Sequence, residues 1–292
     1  MLKNRGIALL QVLLITGIIS ILALYLSSTA REQVKLAQLA TERAEAILAI
    51  KTAQSRLLMT ILTQFREPNV NTADDISSQW NFYGVPFLLK NEVSASIQDQ
   101  NGLISIGFPD PQLIKDILDQ NGADSTLAPV ITDSLLDWQD ADRLTRINGA
   151  EQGSYELGPR NANISLQQEV SQIRGMSADM WQKFSAIFTL YRRGPFNPMA
   201  APPEILSGFI GRDRAAEYLA QRKSAPITAT SFSAMTGLQE SMEQIFYPGR
   251  VMEITLRARR GEVILNKTMM LELDPYAVGN QSPVDVLEVI WD

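Results

Sequence analysis

The chain has 292 residues, of which 45% are hydrophobic and 20% charged, and a net charge of −6; this is globular composition with room for one large or two modest domains, and its charge opposes nucleic acid and anionic headgroups. Cysteine and histidine are both absent. Their absence excludes disulfides, Ser-His-Asp and Cys-His catalysis, zinc sites built on those residues and histidine proton shuttling, leaving carboxylates, lysine, tyrosine and serine for any chemistry.

The N-terminus is a short basic stretch, Met1-Leu2-Lys3-Asn4-Arg5-Gly6, followed by an apolar run from Ile7 to Leu26 broken only by Gln11, Thr16, Gly17 and Ser20. About twenty residues at roughly 1.5 Å rise each span roughly 30 Å, the thickness of a bilayer core. Lys3 and Arg5 precede the run, whereas Arg31-Glu32 after it nearly cancel. The bias places the N-terminus in the cytoplasm and exports the bulk of the chain. A secretory signal peptide is one reading, with Ser28-Thr29-Ala30 as its cleavage site. A plain signal anchor is another, but it has no use for a glycine at the border of leader and run.

Arg5-Gly6-Ile7-Ala8-Leu9-Leu10 resembles the leader and start of a type IV pilin or type II secretion pseudopilin. The resemblance implies cleavage by a prepilin peptidase between Gly6 and Ile7, methylation of the new N-terminus, and a single-pass protein of the bacterial inner membrane with its bulk in the periplasm. Pilins of this group usually carry glutamate at the fifth mature position, and Gln11 stands there. That carboxylate can neutralise the N-terminal ammonium of a neighbouring subunit in an apolar fibre core, where an unpaired charge costs several kcal/mol. Glutamine cannot, which suits a subunit at the end of a fibre; the minor pseudopilin K of type II secretion typically lacks the glutamate. Taken alone, Gln11 is equally well a tolerated polar residue in a membrane helix.

Beyond the membrane the apolar residues Val34, Leu36, Leu39, Ala40, Ile47, Leu48, Ile50, Leu57, Leu58, Ile61 and Leu62 keep a mostly 3–4-residue spacing, and no proline precedes Pro68. One helix from about Ile7 to about Gln64 is predicted, its outer half amphipathic. Pro68 to Pro86 reads as loop. Val93, Ala95 and Ile97 then alternate, Gln98 to Gly102 turns, and Leu103, Ile104 and Ile106 return, which predicts a hairpin bent at Asn101-Gly102. A strand of the K family has a similar form. From Pro109 to about Pro248 the pattern changes to short helices: Pro111 to Gln120, Pro129 to Gln139, Leu166 to Ile173, Ala178 to Tyr191, Pro202 to Ser207, Asp213 to Arg222 and Ser231 to Thr236. None is stable alone, so they must pack together. Arg250 to Arg259 and Glu262 to Leu273 form a closing antiparallel pair.

The densest carboxylate cluster is Asp133, Asp137, Asp140 and Asp142, with Glu151 and Glu156 beyond Asn148-Gly149. Asp133, Asp137 and Asp140 share one helix face, and unpaired like charges there call for a cation or for solvent. Calcium, a hard ion with oxygen ligands, would suit a helix end running into a polar loop; a solvated acidic face is the alternative. Leu135-Leu136-Asp137-Trp138-Gln139-Asp140-Ala141-Asp142, then Asn148-Gly149-Ala150-Glu151 and Tyr155, is similar to a motif of the K family, whose members bind calcium near it. The resemblance implies Asp140, Asp142 and Glu151 as calcium ligands. Gln152-Gly153 replaces an acidic pair frequent in the family.

Phe196 to Leu206 resembles the family's asparagine- and proline-rich stretch, where Asn197 is a capping candidate and Pro202-Pro203 a helix start. Gly208-Phe209-Ile210-Gly211 leads into Arg212 to Arg222 like a helix-hairpin-helix. With Arg212, Arg214, Arg222 and Lys223 it would serve a membrane-tethered DNA-binding protein of the competence type, or, as the favoured reading, pack protein on protein. The four tryptophans are dispersed and mark no sugar cleft, so no enzymatic activity and no catalytic residue are expected.

The fold expected from these segments is α+β. A pilin-like long N-terminal helix packs on an antiparallel sheet, and a large all-helical domain of helix-hairpin-helix or SAM-like kind is inserted between strands. Residues 1–6 form the leader, 7–30 the membrane half of the helix, 31–108 and 249–292 the pilin-like parts and 109–248 the insertion. The resemblance to minor pseudopilin K implies a tip subunit that helps initiate or cap the pseudopilus for protein export across the outer membrane. Its partners would be the I, J and H minor pseudopilins, the major pseudopilin and the prepilin peptidase, with no nucleic acid.

Overall fold

The computed structural model describes residues 5–67, 73–156, 158–224 and 227–292; the leader residues Met1 to Asn4 lie outside them. Helix α1 (Arg5–Thr63) has 59 residues and is therefore about 88 Å long. From Ala8 to Tyr25 its side chains are exposed on every side, and among the described residues α1 is the one helix long and apolar enough to cross a membrane. A core-facing stripe starts only at Ala46 and continues through Ala49, Ile50, Ala53, Leu57 and Ile61. Alanines at three of these positions let a sheet approach the helix closely. Val34 and Leu36, which fit the apolar spacing, are exposed because the sheet covers only the last third of α1, and Leu48, within that third, is exposed on the face turned away from the sheet.

That sheet has five antiparallel strands: β1 (Phe87–Leu89), β2 (Val93–Asp99), β5 (Val251–Arg260), β6 (Val263–Leu273) and β7 (Val284–Trp291), in that spatial order. Alternation in β2 buries Val93, Ala95, Ile97 and Asp99, and the same face of β5 and β6 supplies Ile254, Leu256, Ala258, Met269 and Leu271 to the core under α1. Residues 100–250 leave the sheet after β2 and return at β5, so the helical domain is an insertion between neighbouring strands. Its own core gathers α2 (Pro111–Gln120), α3 (Ala128–Gln139), α4 (Ala178–Phe184), α5 (Pro203–Ile210), α6 (Arg212–Ser224) and α7 (Ala229–Thr236) around Ile117, Ile131, Leu135, Ile205, Tyr218 and Phe232.

The predicted hairpin at Asn101-Gly102 does not form. Gln100 to Gly102 make a 3-10 turn, and the returning residues enter β3 (Ile104–Ser105), which pairs in parallel with β4 (Phe188–Thr189). Both edges of β2 are already taken, by β1 and β5, and Ile104 and Ile106 bury in the helical core. The turn is fixed by tertiary bonds: Asn101 N–H donates to Asp99 Oδ1 at 3.0 Å, and Asn197 N–H donates to Asn101 O at 2.8 Å. A side chain on Gly102 would lie 2.6 Å from the Ala200 carbonyl, so only glycine admits this approach. The predicted helix Ala178 to Tyr191 likewise stops at Phe184, after which a 3-10 turn leads into β4. There Thr189 donates to Gln100 Oε1 and accepts Ile106 N–H on its carbonyl.

The insertion lies at the end of the body remote from the membrane half of α1. At one end of β5 Arg66 Nη1, just past α1, donates to Gly249 O at 2.7 Å. At the other, in the β5–β6 turn, Glu262 N–H donates to the Glu42 carboxylate at 3.0 Å.

Candidate metal centre

Helix α3 buries Ile131, Leu135 and Trp138 on one side and ends where Asp140 turns extended, its N–H still donating to Leu136 O. The loop that follows folds back on the helix. Asn148 gives its backbone N–H (3.1 Å) and its side-chain amide (3.0 Å) to Asp133 Oδ2. The Arg146 guanidinium donates to both Asp137 and Asp140, and its backbone N–H reaches Asp137 Oδ2 at 3.2 Å. Gly149 sits against the Asp137 carboxylate, where a side chain would collide. Arg174 Nη1 donates to Gly149 O at 3.1 Å, and Tyr155 packs edge-on against Trp138 at 5.0 Å between ring centroids.

The carboxylates predicted from sequence thus divide. Asp133 and Asp137 hold the loop, and the like-charge repulsion along α3 is offset by Arg146, a partner that sequence reading missed. Its two carboxylate partners raise the Arg146 pKa above the ordinary arginine value and keep it charged. Glu156 is exposed and stands apart from the group. Asp140, Asp142 and Glu151 converge, with one carboxylate oxygen from each lying within 4.8 Å of the others. Asp142 is exposed and accepts Leu144 N–H at 2.8 Å. Glu151 is buried at 7% exposure, and neither of its oxygens has a hydrogen-bond partner; Asp140 Oδ1 is buried and unpartnered too. Burial pushes the Glu151 pKa up, and the charges of Asp137, Asp140 and Asp142 push it further.

Buried carboxylate oxygens without donors are costly, and a cation is the partner that would relieve several at once. Three convergent carboxylates offer hard oxygen donors and no nitrogen or sulfur, the chemistry of calcium or magnesium rather than of a transition metal. The residues present fit such an ion.

Elsewhere, the segment Gly208 to Gly211 is a helix-hairpin-helix in shape, with Gly211 at φ 84° between α5 and α6. Gly208 presses on the backbone of Ile117 in α2. Arg212 donates to Gln120 O and Arg222 to Ala201 O, so two of the four basic residues are engaged in holding protein to protein. Asn197 caps the turn Pro198–Ala200 through Met199 N–H. It also gives its side-chain amide to Asp99 Oδ2 at 2.8 Å, a contact across the two cores. Gln11 lies on the exposed face of the apolar half of α1. Gly6 and Ile7 follow Arg5 in the first turn of that helix, and the Ile7 side chain lies outside the described residues.

Residues 109–193 match the family model described as type II secretion system protein K, which spans the candidate metal centre. No curated protein matches the chain in sequence. Among solved structures, a chain of the GspK-GspI-GspJ complex from the type 2 secretion system of enterotoxigenic Escherichia coli is similar, with a TM-score of 0.59 and 16% identity. The alignment covers 88% of this chain and 99% of that one. The likeness bears out the α+β fold with its long helix, sheet and helical domain.

Proposed function

We propose that the chain is the minor pseudopilin at the tip of a type II secretion pseudopilus, where it helps initiate or cap assembly for export across the outer membrane. One observation carries the proposal: the helical domain is rooted at the end of the body farthest from the membrane half of α1. A subunit within a helical fibre needs that end free for the next subunit, whereas a terminal subunit does not. Gln11 agrees with this place, since a terminal subunit has no neighbour's ammonium to neutralise.

In this reading the prepilin peptidase cuts between Gly6 and Ile7, the new N-terminus is methylated, and the apolar half of α1 anchors the chain in the inner membrane with its bulk in the periplasm. Its partners are other minor pseudopilins, of which GspI and GspJ accompany the similar chain in the solved complex, together with the H type and the major pseudopilin. Asp140, Asp142 and Glu151 hold a calcium ion that fixes the loop after α3. The role is structural and no turnover is expected. The test is gold labelling of a tag in the helical domain on overproduced pseudopili. Label at one end of each fibre is the expected result, and label spaced along the shaft would refute the tip position.

A further inference from the structure

Between the two cores lies a cavity of about 300 Å³, at the small end of the volumes that hold organic ligands. One wall comes from the sheet body, with Trp80, Phe82 and Tyr83; the other comes from the helical domain, with Tyr218 and Phe246. Five aromatic residues thus line the cavity together with two cationic ones, Arg222 and Lys223, and the Arg222 guanidinium lies 3.9 Å from the centroid of the Tyr83 ring. Its Nη1 donates to Ala201 O at 3.1 Å, and the bonds described for it go to carbonyls alone. Among the described residues Arg222 pairs with no carboxylate. Stacking on a ring and anchoring one nitrogen orient the planar fork, the arrangement that favours a bidentate carboxylate.

We propose that this cavity binds the C-terminus of another polypeptide, with its last, apolar side chain between the aromatic walls and its free carboxylate on Arg222. A planar guanidinium oriented on a ring presents a flat fork that matches the two oxygens of a terminal carboxylate, and Lys223 adds positive charge at the same cavity. The opening between two domains gives an extended chain a way in, and ring faces accept a large apolar residue without demanding one identity. The site is separate from the acidic loop and does not depend on a tip position.

The test uses the full chain in detergent and isothermal titration with a pentapeptide ending in phenylalanine, the same peptide amidated, and N-acetylphenylalanine. The free-acid peptide is expected to bind at least about tenfold more tightly than its amide, a difference of about 1.4 kcal/mol, and more tightly than N-acetylphenylalanine. Arg222→Gln should remove the preference for the acid. Because Arg222 also ties Ala201, Tyr83→Ala serves as a second variant: it removes the stacking face but leaves the carbonyl contact, and should weaken the acid selectively. Equal binding of acid and amide, equal binding of peptide and single amino acid, no saturable binding, or a preference unchanged in both variants would each overturn the proposal.

Discussion

Two of the carboxylates buried among the described residues, Asp99 and Glu151, are treated in opposite ways. At the junction of the domains Asp99 is fully enclosed and accepts three hydrogen bonds, from Asn101 N–H, the Asn197 amide and Gly249 N–H, with Arg66 adding a favourable charge. In the loop after α3 Glu151 also has little exposed surface, yet neither of its oxygens has a hydrogen-bond donor and its charged neighbours are other carboxylates. A buried charge that serves the fold is satisfied by the fold. One that the fold leaves unsatisfied, beside two more carboxylates, is the group that the proposed calcium ion would satisfy.

The largest effect should come from Asp99→Ala, which strands three donors at the seam between the cores. A loss of about 3 kcal/mol is expected in urea unfolding, because each buried group left unpaired costs about 1–3 kcal/mol and the seam can relax in part. A loss below about 1 kcal/mol would mean that the junction is not held by this residue and would dissolve the contrast.

Calcium should produce the next effect. At a concentration one hundred times its dissociation constant, a single bound ion stabilises by about 2.7 kcal/mol. Glu151→Gln should abolish that gain while leaving the calcium-free protein equally or slightly more stable, since it removes an unpaired buried charge. Thermal melting with and without calcium distinguishes this from a purely structural glutamate, whose loss would destabilise both forms.

The smallest effect concerns pH. Burial pushes the Asp99 pKa above its ordinary value, and the three hydrogen bonds and Arg66 pull it only part of the way back. A carboxyl group with a raised folded pKa contributes stability that is present below its unfolded pKa and lost as pH rises through the folded one. The advantage of the wild type over Asp99→Asn, which does not titrate, should therefore be larger at low pH than at neutral pH. A difference that grows with rising pH would show that the donors outweigh burial and that Asp99 is held ionised.

Much of this was legible in the sequence. The end of α1, the β5–β6 pair and α2 fall close to where apolar period, turn residues and caps place them, because local spacing and core-facing periodicity agree there. Asp140, Asp142 and Glu151 were nameable as candidate ligands only through a family motif, since nothing in their spacing distinguishes them from the loop-holding Asp133 and Asp137. Arg146 gave a faint signal, as one of two basic residues, with Arg143, between the acidic run and Asn148-Gly149. Strand β7 escaped because its apolar residues, among them Val286, Val289 and Ile290, are exposed on an edge and do not alternate with polar ones. The hairpin at Asn101-Gly102 was misread because the dipeptide is a good turn signal whose usual partner strand had been taken by β5, a segment about 150 residues away.

By itself, the sequence determined the long helix and its apolar half, strands β2, β5 and β6, the helical insertion and the exclusion of histidine and cysteine chemistry. Those features follow from composition and from periods of two and about 3.6 residues, which any stretch of chain carries locally. Only the tertiary structure decided which edge of β2 was paired, which acidic residues were neutralised and which were left bare, and that Arg222 meets Tyr83 across the two cores. Each of these depends on groups from distant segments meeting in a space from which water is excluded, where a hydrogen bond made or missed counts for far more than it does in solution.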